Sequence, residues 1–119
     1  MILSFMAKHS GHLDGIFQAL ADPTRRAVLM RLGNGPASIG ELAEPFDMAL
    51  PSFMRHIQFL QNSGWINTRK EGRVRICTLE KQQFAIVEDW LSEQRALWNA
   101  RTDRLEQFVT SKQNKDNSR

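Results

Sequence analysis

Cysteine is nearly missing from this 119-residue chain: Cys77 stands alone. No intrachain disulfide can form, so a hydrophobic core has to hold the fold, and a reducing compartment suits it. Long apolar runs are missing too. A membrane-crossing helix needs about 20 consecutive apolar residues, and no stretch provides them. The first residues, Met1–Met6, are apolar in places. They lack the basic start, the long apolar run and the small-residue cleavage site of a secretory leader. A soluble, cytoplasmic protein without membrane contact is expected. There is no phosphate-cradling glycine loop and no nucleophile paired with a base at recognisable spacing, so an enzyme is not expected. His9 and His12 read as exposed side chains on an N-terminal arm in preference to metal ligands.

The length fits one domain with a modest core. The net charge of +3 is compatible with an anionic partner, and its distribution says more. Arg69, Lys70, Arg73 and Arg75 crowd one short stretch against a single acid, Glu71. Ahead of them, residues 49–64 read as a DNA recognition helix. Phe53, Ile57 and Leu60 fall at i, i+4 and i+7 and share an inward face. Ser52, Arg55, His56 and Gln58 stay nearer the outside. Pro51 suits a first helical turn, and Gly64 suits the stop.

The chain in order supports that setting. Leu13, Ile16, Phe17 and Leu20 form one apolar stripe of a first helix. Asp22-Pro23 opens a second helix over 23–32, with Asp22 as cap and Pro23 at its first position. Ala27, Val28 and Leu32 face in, with Leu29 alongside, and Arg25, Arg26 and Arg31 face out. Gly33-Asn34-Gly35-Pro36 ends it as a plain turn. Ser38-Ile39-Gly40-Glu41 has the form of a capping box, the hydroxyl on the Glu41 N–H and the carboxylate back on the Ser38 N–H. It starts a short helix over 39–44, and Phe46-Asp47-Met48 turns into the recognition helix. Two strands follow, 65–70 and 73–79, joined at Glu71-Gly72. Val74 and Ile76 share one face; Arg73, Arg75 and Cys77 share the other. Alone, this hairpin reads equally as a solvated charged ribbon. After a helix-turn-helix it reads as a nucleic-acid-binding wing.

A last helix runs from about 82 to 109, with Phe84, Val87, Trp90, Leu91, Leu97, Trp98, Leu105 and Phe108 on its apolar side. About 28 residues make a rod of about 42 Å, against a radius of gyration of about 13–14 Å for a compact chain of this size. Its projecting apolar surface asks for a partner. A homodimer built from the first and last helices is expected, through Leu13, Ile16, Phe17, Trp90, Leu91, Leu97, Trp98 and Leu105. Residues 111–119 are polar and read as a disordered tail. The divisions expected are an arm over 1–11, a DNA-binding domain over 12–80, a dimerisation helix over 81–110 and that tail. The fold class is mainly α with a small β-hairpin: a winged helix-turn-helix with a long C-terminal helix.

The chain resembles the ArsR-type winged-helix repressors. The resemblance rests on A-L-A-D-P-T-R-R (19–26), S-I-G-E-L-A (38–43), L-P-S-F-M-R-H-I (50–57), L-Q-N-S-G-W-I (60–66) and E-G-R-V-R (71–75), in matching order over about residues 13–79. It implies a dimeric repressor occupying a promoter operator. Two positions depart from the pattern. Ala49 stands where the family usually carries Ser or Thr, so a helix cap is missing. Met54 stands where a small polar residue is common; it can touch a thymine methyl but makes no specific hydrogen bond to a base. Metal-sensing members use cysteines near the third helix or His and acidic residues on the last. No cysteine lies between Ser38 and Phe46, and no histidine lies beyond His56. The resemblance is therefore to a branch without metal, and no cofactor is expected.

The expected DNA contacts are Leu50, Ser52, Phe53, Met54, Arg55 and His56 in the major groove, with Arg69, Lys70, Arg73 and Arg75 on the wing. His56 has two readings, a phosphate contact or a core-edge residue holding the turn. Two rival functions remain. The winged helix can serve as a protein-interaction module, or Cys77, beside wing arginines that lower its pKa, can make a thiol-responsive regulator; the favoured reading of Cys77 is a partly buried strand residue. The sequence names no operator and no inducer.

Overall fold

A computed structural model describes residues 12–117; the expected N-terminal arm, with His9, lies outside the described residues. The chain divides into two units, Met1–Ala85 and Ile86–Arg119. In the first, helix α1 covers 12–20 and α2 covers Pro23–Leu32. A two-residue strand β1, Ala37–Ser38, leads into α3, Ile39–Ala43. Then come α4, Leu50–Asn62, and the strands β2, Ile66–Glu71, and β3, Val74–Leu79. Helix α5 runs Gln82–Asn117. Its assigned helix therefore continues where polar composition predicts a disordered tail. Residues 111–117 contain no glycine or proline to stop it.

The helix starts follow their local chemistry. Asp22 caps α2, its Oδ2 accepting from the Arg25 N–H at 3.0 Å. Ser38 Oγ accepts from the Glu41 N–H at 3.1 Å. The other half of the expected capping box differs. The Glu41 carboxylate accepts a hydrogen bond from the Ser38 hydroxyl at 3.1 Å and meets Arg31 at 3.5 Å. Helix α4 has no side-chain cap at Ala49 and carries Pro51 in its first turn.

The sheet has the order β1-β3-β2 and is antiparallel throughout. Strand β1 is too short for a sequence pattern to announce. Ala37 pairs with Cys77 and Ser38 with Ile76. The hairpin is offset by one residue from the sequence expectation. Glu71 pairs with Val74, so the loop is Gly72-Arg73. Gly72 has φ +63° and Arg73 no positive φ, which places glycine first in the loop, as a type II′ turn requires. The pairing also fixes the faces. Ile66, Thr68, Cys77 and Leu79 turn to the core, with Lys70 and Arg75 continuing that face to the tip. The other face carries Arg69, Glu71, Val74 and Ile76. The more apolar pair, Val74 and Ile76, is thus on the outer face.

The core joins α1, α2, α3, α4 and the sheet through Ile16, Val28, Leu42, Phe53, Ile57, Leu60, Trp65 and Cys77, all 2% exposed or less. Trp65 is its hub. The indole Nε1 donates to the Ile16 carbonyl at 3.0 Å, and the ring meets Phe84 edge-on at 4.9 Å. Gly64 has φ +81°, and a Cβ there would come within 2.5 Å of Gln83 Nε2. That amide is buried and donates to the Ser63 carbonyl at 2.7 Å. The stop after α4 thus needs glycine for conformation and for space.

Candidate nucleic-acid interface

Helices α3 and α4 and the turn between them form the helix-turn-helix, and β2–β3 form the wing. Phe53, Ile57 and Leu60 set which side of α4 faces out, as their spacing predicts. Phe53 also packs on Phe46 with ring centroids 5.6 Å apart. At 1% exposure Phe53 has no surface to offer a ligand, so its place among the expected DNA contacts is corrected. The same periodicity that marks α4 assigns this residue inward.

The outer side of α4 carries Leu50, Ser52 and Arg55 exposed and Met54 half-buried. Pro51, Met54, Arg55, Gln58, Phe59 and Asn62 line a shallow dish of about 290 Å³. Gln58 and Asn62 thus belong to the offered surface. Their spacing from Pro51 and Arg55, opposite the buried stripe, was the signal for them. On the wing Lys70, Arg73 and Arg75 are exposed, and among the described residues no ion pair holds them or Arg55. Arg69 differs. Its Nε lies 2.9 Å from Glu71 Oε1 on the outer face of the ribbon, which offsets its charge.

His56 is drawn to the α1–α2 corner. Its Nδ1 lies 3.3 Å from Arg25 Nη1 and 3.7 Å from Asp22 Oδ2. A guanidinium only donates, so in the shorter contact Nδ1 is the acceptor whenever the imidazole is neutral. Arg25 does not face out as expected. It also donates from Nε to the Ala19 carbonyl at 3.0 Å and from Nη2 to that of Gln18 at 2.6 Å. Its guanidinium carbon lies 4.4 Å from the Phe59 ring centre. Arg26 Nη1 reaches the Leu20 carbonyl at 2.8 Å. Two arginines therefore take carbonyls in the last turn of α1, where helical N–H partners run out; that of Gln18 also accepts the Ala21 N–H at 3.1 Å. Burial raises the Asp22 pKa, but the Arg25 N–H, the charges of His56 and Arg25, and the Thr24 N–H outweigh it. The carboxyl sits below its ordinary range.

Cys77 is fully buried. Burial raises its pKa, and Arg75 opposes that only in part. The activation by wing arginines that the sensor reading needs is thus reversed, because the thiol lies on the core side of β3, as the reading of Cys77 as a buried strand residue expects. A buried, neutral thiol is a poor redox sensor.

The expected dimer residues divide. Ile16 is 0% exposed, inside its own core beneath Trp65, and is corrected to a core residue. Leu13 and Phe17 are half-buried. In the second unit, Trp90 and Leu91 are 37% and 47% exposed, and Leu97, Trp98 and Leu105 about two-thirds exposed at 65%, 66% and 66%. Among the described residues no helix is long and apolar enough to cross a membrane.

Comparison with known proteins agrees with this geometry. The helix-turn-helix domain family matches residues 20–68. The HTH-type transcriptional regulator Rv2034 of Mycobacterium tuberculosis is 37% identical over 74 residues, 62% of this chain and 69% of that protein. The transcriptional repressor SdpR of Bacillus subtilis is 33% identical over 61 residues, 51% of this chain and 68% of that one. The crystal structure of an ArsR family transcriptional regulator superposes with a TM-score of 0.72 at 68% identity, over 74% of this chain and 97% of that one.

Proposed function

The chain belongs to the ArsR family of winged helix-turn-helix transcriptional regulators, and from that premise we propose that it is a homodimeric repressor that occupies an inverted-repeat operator. The observation that carries the reading is the outer side of α4. Ser52, Arg55 and Gln58 stand exposed there, on a helix whose opposite side is locked into the core. Only the major groove is wide enough to admit such a helix. Arg55 pairs with a guanine edge and Ser52 with a base or phosphate, while Leu50 and Met54 offer apolar contact to thymine methyls. Lys70, Arg73 and Arg75 grip phosphates or the adjacent minor groove. Residues 12–80 serve as the DNA-binding part and 81–110 as the dimerisation helix. Trp90, Leu91, Leu97, Trp98 and Leu105 cover one another across the two-fold, and Leu13 and Phe17 of the first helix contribute to the dimer. Half-sites then lie about one helical turn apart. Repression follows from occupying the promoter, a mode supported by the likeness to SdpR. The reading takes no metal and no cofactor, and places the protein in the cytoplasm, where its DNA is.

The test is a titration of the purified protein against the DNA upstream of its own coding sequence, at two salt concentrations, with unrelated duplex as competitor. Selective retention that weakens with salt supports the reading, and footprinting then gives the half-site spacing. Absence of binding at low salt overturns it in favour of a protein-interaction module.

A further inference from the structure

One guanidinium joins three helices beside the offered surface. Arg25 sits on α2, outside the helix-turn-helix. It holds the end of α1 through the Gln18 and Ala19 carbonyls at 2.6 and 3.0 Å. Its remaining reach is spent on α4, at His56 Nδ1 at 3.3 Å and over the Phe59 ring at 4.4 Å. Asp22 approaches the same imidazole at 3.7 Å. His56 and Phe59 are three residues apart, so they stand on one side of α4. Arg55 and Gln58, the polar residues offered outward, immediately precede them in sequence.

We propose that Arg25 is a positioning residue for operator recognition. It sets the rotation of α4 about its axis, and so the direction in which Ser52 and Arg55 leave the helix. The inference rests on α4 being the reading helix. The buried stripe Phe53-Ile57-Leu60 fixes that rotation coarsely, because apolar contact is not directional. Hydrogen bonds and a stacked cation are directional. Fine control matters because a turn of about 10° moves a group about 6 Å from the axis by about 1 Å, enough to break a hydrogen bond to a base edge. Lysine cannot replace arginine here. An ammonium offers no planar fork to hold two carbonyls and an imidazole while stacking on a ring.

The experiment compares the parent, Arg25→Lys and Phe59→Leu, each as the full chain and well below its melting midpoint. The probes are a duplex selected by the parent from random-sequence DNA and the same duplex with its sequence shuffled. For Arg25→Lys the ratio of the two affinities is expected to fall about tenfold, the scale of one good base contact. Affinity for the shuffled duplex and its salt slope should stay at the parent's values. Phe59→Leu, which removes only the stacking, should lower the ratio about two- to fivefold. If Arg25 instead touches phosphate, lysine restores the parent's ratio, and Arg25→Ala lowers the salt slope by about 0.9 on both duplexes. That result overturns the proposal. So does an unchanged ratio with a lowered melting temperature, which would make the contact a support for stability alone. A parent that cannot tell the two duplexes apart takes down the DNA reading and this inference together; a selective parent with equally selective variants removes only this inference.

Discussion

The recognition helix and the wing both carry exposed arginine, and they are held in opposite ways. Helix α4 rests on three side chains that are 2% exposed or less, Phe53, Ile57 and Leu60, and is tied at its flank by Arg25. The wing is anchored only at its base. Beyond Thr68 and Ile76 every residue from Arg69 to Arg75 is exposed, and the cross-strand ladder and the Arg69–Glu71 ion pair order the tip without a core behind it. A side chain that reads a base edge has to be placed to within a fraction of an ångström. One that meets a phosphate needs only charge and reach, since phosphates recur along the strand. The core thus backs the element that needs accuracy, and the ribbon is left to adapt.

The largest test of that contrast removes what both regions share. Trp65 sits between them, its N–H on the Leu60 carbonyl at 2.9 Å and its own carbonyl taking the Glu80 N–H at 2.8 Å. Trp65→Ala should cost about 3–5 kcal/mol, read by urea unfolding, and should abolish DNA binding through both elements at once. Next comes the helix alone. Arg55→Ala should cost about 1–3 kcal/mol of discrimination between operator and shuffled duplex, measured by competition binding, with little change in melting temperature. The wing should behave in the complementary way. Arg73→Ala should weaken binding to every duplex by a similar factor and reduce the salt slope by about 0.9. If Arg73→Ala alters sequence choice and Arg55→Ala does not, the division of labour is the reverse of that drawn here.

Smaller effects probe the helix starts. Ala49→Ser supplies the cap that α4 lacks and should raise stability by about 1 kcal/mol; calorimetry would detect it as a higher melting temperature. The least effect is expected at the α1–α2 corner. Asp22 has a depressed pKa in the folded chain, so its contribution is present above the ordinary carboxylate range and is lost as pH falls through the lowered folded value. Asp22→Asn keeps a competent cap and removes the charge. It should be less stable than the parent near pH 6, with the gap closing in acid. A gap independent of pH would assign the role of Asp22 to capping alone.

Much of this was legible because it is local. The stripe of α4, the cap at Asp22, half of the Ser38–Glu41 box and the glycine stop at Gly64 each depend on residues within a turn or two of one another. The errors fell where a side chain's fate depends on distant partners. By sequence Phe53 reads both as core and as contact, and burial against Phe46 decides for core. Arg25 reads as a solvent-facing cation because the carbonyls of Gln18 and Ala19 leave no mark in sequence. Cys77 and Arg75 share a face of β3, yet one is core and the other tip. Which it is depends on β1, two residues that no periodicity could reveal.

By itself the sequence determined the order of the helices and wing strands, the inward side of α2 and α4 and the family, since spacing, caps and breakers act over short separations. Only the tertiary structure decided which exposed cations remain unpaired and which are spent holding helices together. Lys70, Arg73 and Arg75 carry no ion pair among the described residues, while Arg69 is offset by Glu71 and Arg25 is committed to α1 and α4. Arginines of equal charge and flexibility differ only in what the fold brings within their reach, and that is a property of packing across the chain.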